Sequence, residues 1–228
     1  MNHTAVHDFS DECVYIVKCS RGHDNTVLMH EHKYELLFDV ACQAMLDRYF
    51  REAVSSFAAS LERFYEFAIR VLIFDATKSP ELFKSLWKKM SNQSERQLGG
   101  FITLWSARFG SEPTILTEKQ AKFRNSVVHK GSFPKSEEAM SFGSTALEII
   151  RTHEKELRKN LAASVNSVES DYFREQRPAD FQGIECTSST TLIPGQRTSD
   201  DVPSHDLLER HLISLENLRR ARAANYDG

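Results

Sequence analysis

Between Glu52 and Asp75 the chain sets Val54, Phe57, Ala58, Leu61, Phe64, Tyr65, Ala68, Val71 and Leu72 at three- and four-residue intervals, the period of an α-helix. The apolar set covers much of the girth of that helix, so water must be kept from it on several sides. It therefore reads as the central helix of a bundle. Glu62, Arg63, Glu66 and Arg70 ride on it. The pairs Glu62–Glu66 and Arg63–Arg70 read most simply as surface charges, with an inward-facing Glu62 as the other option.

The flanking sequence supplies the surrounding helices. Leu37, Val40, Ala41, Ala44 and Met45 give a helix from Tyr34 to Phe50. Lys78-Ser79-Pro80 breaks the central helix, and Ser79 can cap a short one from Pro80 to Met90, with proline in the first turn. Asn92 to Phe109 follows, with Gly99-Gly100 inside it as a kink or a close backbone approach, and Gly110 and Pro113 ending it. Thr117 caps the next helix with Gln120 in the capping-box position. Ser136 caps another, with Glu137 and Glu138 in its first turn, and its apolar positions continue toward Ser167. Residues 176–204 are rich in turn formers. Leu207, Leu208, Leu212, Leu215 and Leu218 then stripe a last amphipathic helix with Arg219, Arg220 and Arg222 near its end, which must dock on the bundle or on another chain.

Ahead of these helices, Cys13–Cys19 is β-prone and Thr26–Met29 is a second apolar run, separated by turn formers, so a small hairpin is expected. The fold class is all-α: a bundle of four to six helices with a small N-terminal β-hairpin and a C-terminal amphipathic helix. The organisation reads as an N-terminal extension over 1–32, a helical bundle over 33–168, a loop or linker over 169–204 and a C-terminal helix and tail over 205–228.

Composition bounds the function. Hydrophobic residues make up 40% of 228, which excludes wholesale disorder. Apolar runs fall far short of the ~20 residues that cross a bilayer, so no membrane partner is expected. The four cysteines form no CxxC pair and no signal peptide precedes them, which fits reduced thiols in the cytoplasm. Cys13, Cys19, His23, His30 and His32 fit no usual zinc spacing, so neither a metal nor another cofactor is expected. Net charge is −3, but residues 80–135 hold ten Lys/Arg and four Glu, 10 − 4 = +6, leaving −9 on the remainder. A basic middle can contact phosphates; solvated helix faces are the simpler account of the charge excess alone.

Reactive side chains concentrate in Phe123-Arg124-Asn125-Ser126-Val127-Val128-His129-Lys130-Gly131. Asn125 and His129, four apart, share a helix face. Arg124 and His129 lie about 140° apart around the axis. They meet within one chain only if the guanidinium bends round or the helix unwinds near Gly131. Histidine moves protons at physiological pH, arginine holds phosphate and stabilises developing negative charge, and asparagine can orient the imidazole or bond a phosphate oxygen. Together they suit metal-free RNA cleavage, in which the ribose 2′-hydroxyl attacks its own phosphate. One histidine provides one proton-transfer group, so a composite site across a two-fold dimer axis is expected.

Arg124-Asn125-x-x-x-His129 resembles the R-(polar)-x-x-x-H motif of the HEPN superfamily (higher eukaryotes and prokaryotes nucleotide-binding domain). Tyr49-Phe50-Arg51-Glu52-Ala53, Leu61-Glu62-Arg63-Phe64, His129-Lys130-Gly131 and Pro134 resemble the surroundings of that motif, and the likeness covers about 34–160. It implies a metal-independent endoribonuclease of toxin–antitoxin or phage-defence type, acting on RNA as a homodimer, with a neutralising or regulatory protein partner. Arg124, Asn125 and His129 would be its catalytic residues, with Lys122 and Lys130 contacting substrate. The alternatives are a non-catalytic module of the same kind, binding nucleotide, RNA or protein, and a structural subunit in which Arg124 and His129 only make local hydrogen bonds.

Overall fold

The computed structural model describes residues 13–18, 21–179, 181, 184–186 and 202–226. Among them, β1 (Val14–Lys18) and β2 (Asp24–Met29) form an antiparallel hairpin. Then come α1 (Lys33–Leu46), α2 (Phe50–Thr77), α3 (Pro80–Met90), α4 (Ser94–Phe109), α5 (Glu118–Lys130), α6 (Ser136–Gln176), β3 (Ile184–Cys186) and α7 (Ser204–Tyr226). The molecule is a helical bundle with an N-terminal hairpin and a C-terminal helix. Cys19, Gly183 and the 187–201 stretch with Pro194 and Gly195 lie outside the described residues, as does the side chain of Arg222.

Helix α2 is the axis of the bundle. It packs against α1, α3, α4, α5 and α6, and Phe57, Phe64, Ala68, Ile69 and Val71 are sealed from solvent. Its charges are not idle surface groups. Arg63 bonds Glu66 and reaches Gln97 Oε1 on α4 at 3.2 Å, Arg70 meets Glu175 on α6 at 3.2 Å, and Glu62 holds Arg124 on α5. Each side chain crosses to a neighbouring helix because α2 has a neighbour on nearly every side.

The turn chemistry sets the element ends. Arg48 takes a left-handed φ of 63°, so the helix expected from Tyr34 to Phe50 ends at Leu46 and Phe50 begins α2 instead. Ser79 Oγ accepts from Leu82 N at 3.2 Å and caps α3. Thr117 and Gln120 close the expected capping box on α5, and Gly131 ends that helix at φ 73°. At α6 the cap shifts by one residue: Lys135, not Ser136, takes the N-cap position, and its N–H donates to Glu138 Oε2 at 2.8 Å. Gly99-Gly100 leaves α4 unbroken. A β-carbon on Gly100 would meet the Met90 and Ile69 side chains, not another backbone.

Helix α6 continues past Ser167 to Gln176, with non-helical φ/ψ at Leu161 (−130°, 30°). Its distal half, polar as a sequence, still buries Leu157, Leu161, Val165 and Val168. Beyond it, β3 pairs in parallel with β2, Leu28 opposite Glu185, making a three-stranded sheet in the order β1-β2-β3. Helix α7 docks within the chain on α6 and α1. Leu207 and Leu208 are buried, and Leu212 and Leu215 pack against the core. Arg219 bonds Gln43 and Asp47 at the end of α1. No helix among the described residues is long and apolar enough to cross a membrane.

Candidate active site

Helix α5 carries the Arg-Asn-x-x-x-His pattern along one flank of the bundle. Val127 is fully buried against the core and Phe123 packs beside Phe142, with ring centroids 5.8 Å apart. Anchoring this side leaves the reactive residues at the margin between helix and solvent. The helix stays regular through Lys130, so no unwinding near Gly131 brings Arg124 and His129 together.

Arg124 turns toward α2 instead. Its Nη2 donates to Glu62 Oε1 in a close ion pair, and its Nη1 donates to Asn125 Oδ1 at 2.9 Å. Burial lowers its pKa from the usual arginine value, yet a guanidinium remains a cation at any physiological pH. An arginine has five N–H donors, so two bonds leave others available. Asn125 is exposed next to it.

His129 sits one turn later, in the last turn of α5, exposed and without a hydrogen-bond partner among the described residues. Within one chain, then, Arg124 and Asn125 are joined and His129 is presented separately to solvent. Lys122 is exposed and tied to Glu118 one turn back. Lys130 is exposed with no ion pair among the described residues. Phe133, two residues beyond the Gly131 cap, is 88% exposed.

A cleft of about 180 Å³ opens beside Arg124 and Asn125, walled by α2, α4 and α5 and the segment before α5. Leu61, Leu98 and Leu116 line it, together with Glu62, Tyr65 and Glu95. The sequence reading singled out neither Tyr65 nor Glu95 as a site residue and read Glu62 mainly as a surface charge. No local spacing ties a residue on α2 to one sixty positions later. The available signal was that Glu62 and Tyr65 lie on the central apolar helix.

Cys13, His30 and His32 serve packing, while His23 is exposed. His32 is buried among Tyr34, Phe67, Tyr172 and Phe173, and His30 stacks on Phe173 with centroids 4.5 Å apart. Cys13 is buried, and Cys19 lies outside the described residues. No metal-binding group of three or more His, Cys, Asp or Glu occurs among the described residues.

Comparison of the chain with protein-family models, with curated proteins and with solved structures returns no match.

Proposed function

We propose that the chain is a metal-independent endoribonuclease that cleaves RNA by 2′-hydroxyl transesterification, acting in the cytoplasm as a homodimer with the α5 motif at the dimer axis. One observation carries the reading. Glu62 and Asn125 fix Arg124 at the mouth of a cleft, and His129 stands unpartnered in solvent one turn further along the same helix. A fixed cation is suited to the charge that builds on a pentavalent phosphate. An unpartnered imidazole is available for proton transfer.

The chemistry balances without a metal. The base removes the 2′-hydroxyl proton, the 2′-oxygen bonds to phosphorus, and the 5′-oxygen leaves with a proton from the acid. The products are a 2′,3′-cyclic phosphate and a 5′-hydroxyl. A base and an acid are two groups, and one α5 helix offers a single imidazole, so a second copy is needed to complete the site. The resemblance of Arg124-Asn125-x-x-x-His129 to the HEPN pattern supports the same assignment, and with it a toxin or defence role restrained by a protein partner.

The Glu62–Arg124 pair also favours a second reading. Both terminal nitrogens of Arg124 are engaged inside the chain, as in a module that binds nucleotide, RNA or protein without turnover. Cleavage decides between them. Purified protein incubated with single-stranded RNA in excess EDTA should yield cyclic-phosphate ends. Arg124→Ala and His129→Ala should each reduce the rate at least ~100-fold while the helical circular dichroism is kept. Binding without cleavage, or cleavage that survives His129→Ala, leaves only the second reading.

A further inference from the structure

We propose that the cleft bounded by α2, α4 and α5 is a nucleobase pocket that selects guanine next to the scissile phosphate. The proposal rests on the ribonuclease reading for its substrate class and adds the base preference.

The cleft has the size and chemistry for one base. Its 180 Å³ lies below the ~300–1,000 Å³ of pockets for drug-sized ligands, the scale of a single heterocycle and not of an oligonucleotide. Leu61, Leu98 and Leu116 give it apolar walls, which desolvate the faces of a planar ring. A cleft with such walls and a few polar groups is the usual form of a small-ligand site.

Two of its polar groups, Tyr65 and Glu95, have no hydrogen bond or ion pair among the described residues. Tyr65 is 5% exposed and its ring stacks on Phe101, with centroids 4.7 Å apart. It lines the cleft, and its hydroxyl has no hydrogen-bond partner among the described residues. Burial also raises its pKa, so the hydroxyl keeps its proton and can donate. The hydroxyl is thus presented to the cleft from an otherwise buried ring, where a ligand can meet it. Glu95, in the first turn of α4 where the helix dipole favours a carboxylate, is exposed at the rim of the same cleft and has no ion pair among the described residues. Asn125 adds an amide at the edge shared with Arg124.

That donor and acceptor set discriminates among bases. The guanine edge carries two adjacent N–H donors, N1 and the N2 amine, beside the O6 acceptor. A carboxylate takes both donors at once while a hydroxyl or amide donates to O6. Adenine has no ring N–H on this edge, cytosine offers only its amine, and uracil turns carbonyl oxygens toward the carboxylate. Single-stranded RNA is the form in which a base can leave its neighbours and enter. Arg124 borders the cleft, so the phosphate beside a captured base lies near the motif.

The test uses U-rich oligoribonucleotides carrying one central guanine, adenine, cytosine or inosine. They are titrated into the full-length His129→Ala protein in EDTA and followed by fluorescence anisotropy. Guanine should bind about tenfold tighter than adenine, with inosine, which lacks the N2 amine, in between. Adding Glu95→Gln should reduce the preference to less than about threefold, and so should adding Tyr65→Phe, which removes only the hydroxyl. Equal binding of all four, no binding of any, or a preference untouched by both changes overturns the proposal. Mapped cuts of the wild-type protein separate the two claims. Cleavage that depends on His129 but falls equally at all bases sinks the pocket and leaves the nuclease. A guanine preference in binding without any cleavage sinks the nuclease and leaves the pocket.

Discussion

Glu62 is the residue that sets where Arg124 stands. Arg124 is only 17% exposed, and a guanidinium this far from water requires a partner. Glu62 provides it, and Asn125 fixes the plane of the fork from the other side. In the proposed reaction Glu62 would be a positioning residue, acting on the substrate through Arg124. Glu62→Gln keeps the shape and one hydrogen bond but removes the charge. If Arg124 acts on the developing charge of the transition state, the substitution should lower kcat about 10- to 100-fold. RNA affinity should stay level or rise, because a negative charge has left the cleft. Single-turnover kinetics beside an equilibrium binding curve separate these effects. A change in KM alone would mean that Arg124 binds substrate without acting in the reaction. The sequence made Arg124, Asn125 and His129 visible because they are near neighbours. It kept Glu62 among surface charges because its partner is remote in the chain.

At the scale of elements, the bundle depends on close approaches that composition does not announce. Gly143 on α6 faces Phe57 of α2 and Leu208 of α7, and a β-carbon there would lie 2.6 Å from the Phe57 ring. Three helices therefore meet at a point with room for a hydrogen only. Gly143→Ala gains helix propensity of about 1 kcal/mol but forces that ring aside in a packed core, a change that typically costs about 1–3 kcal/mol. A net loss is expected, and thermal unfolding should show it as a drop of a few degrees in Tm. An unchanged or raised Tm would show that Phe57 has space to move. The helices themselves were legible: apolar spacing gave α2, and Ser79, Thr117, Gly110 and Gly131 marked ends from local chemistry. The last turns of α6, past Ser167, were not, and the burial of Leu157, Leu161 and Val165 before them was masked by the charges around them. The far half of α6 is held by α2, through Asp75 to Ser164 and Arg70 to Glu175, with His30 stacked on Phe173.

The whole molecule is joined across its N-terminal end by buried ionisable groups. Arg158 bonds Glu154 at 2.9 Å and Glu169 at 2.7 Å, and His32 Nε2 lies 3.5 Å from Glu169. Glu35 accepts the His32 N–H at 2.6 Å. Burial, reinforced by the charge of Glu154, pushes the Glu35 carboxyl up to about 8 from 4.5. Burial also holds His32 and His153 below 6.5. The signs oppose. Between pH 4.5 and 8 folded Glu35 keeps a proton that the unfolded chain has lost, so its contribution to stability declines as pH rises. Below 6.5 the unfolded histidines take up protons before the folded ones, so stability also declines toward acid. Glu35→Gln keeps an acceptor for the cap and removes the first slope. Its unfolding free energy should fall less than that of the wild type from pH 5 to 8, by on the order of a few kcal/mol. Denaturant melts across that range check this, and parallel profiles would place the source of the slope elsewhere.

The sequence by itself determined the helical class, the central helix, the hairpin and the clustering of arginine, asparagine and histidine on one late helix. All of these follow from side-chain period and from capping chemistry that acts over a few residues. Tertiary structure alone decided that Arg124 faces Glu62 while His129 faces solvent, that Tyr65 and Glu95 share a cleft, that Gly143 is a crossing point and that α7 packs on its own chain. Those outcomes depend on which helix faces meet. That is set by packing complementarity among segments tens of residues apart, and no local spacing in a single chain encodes it in readable form.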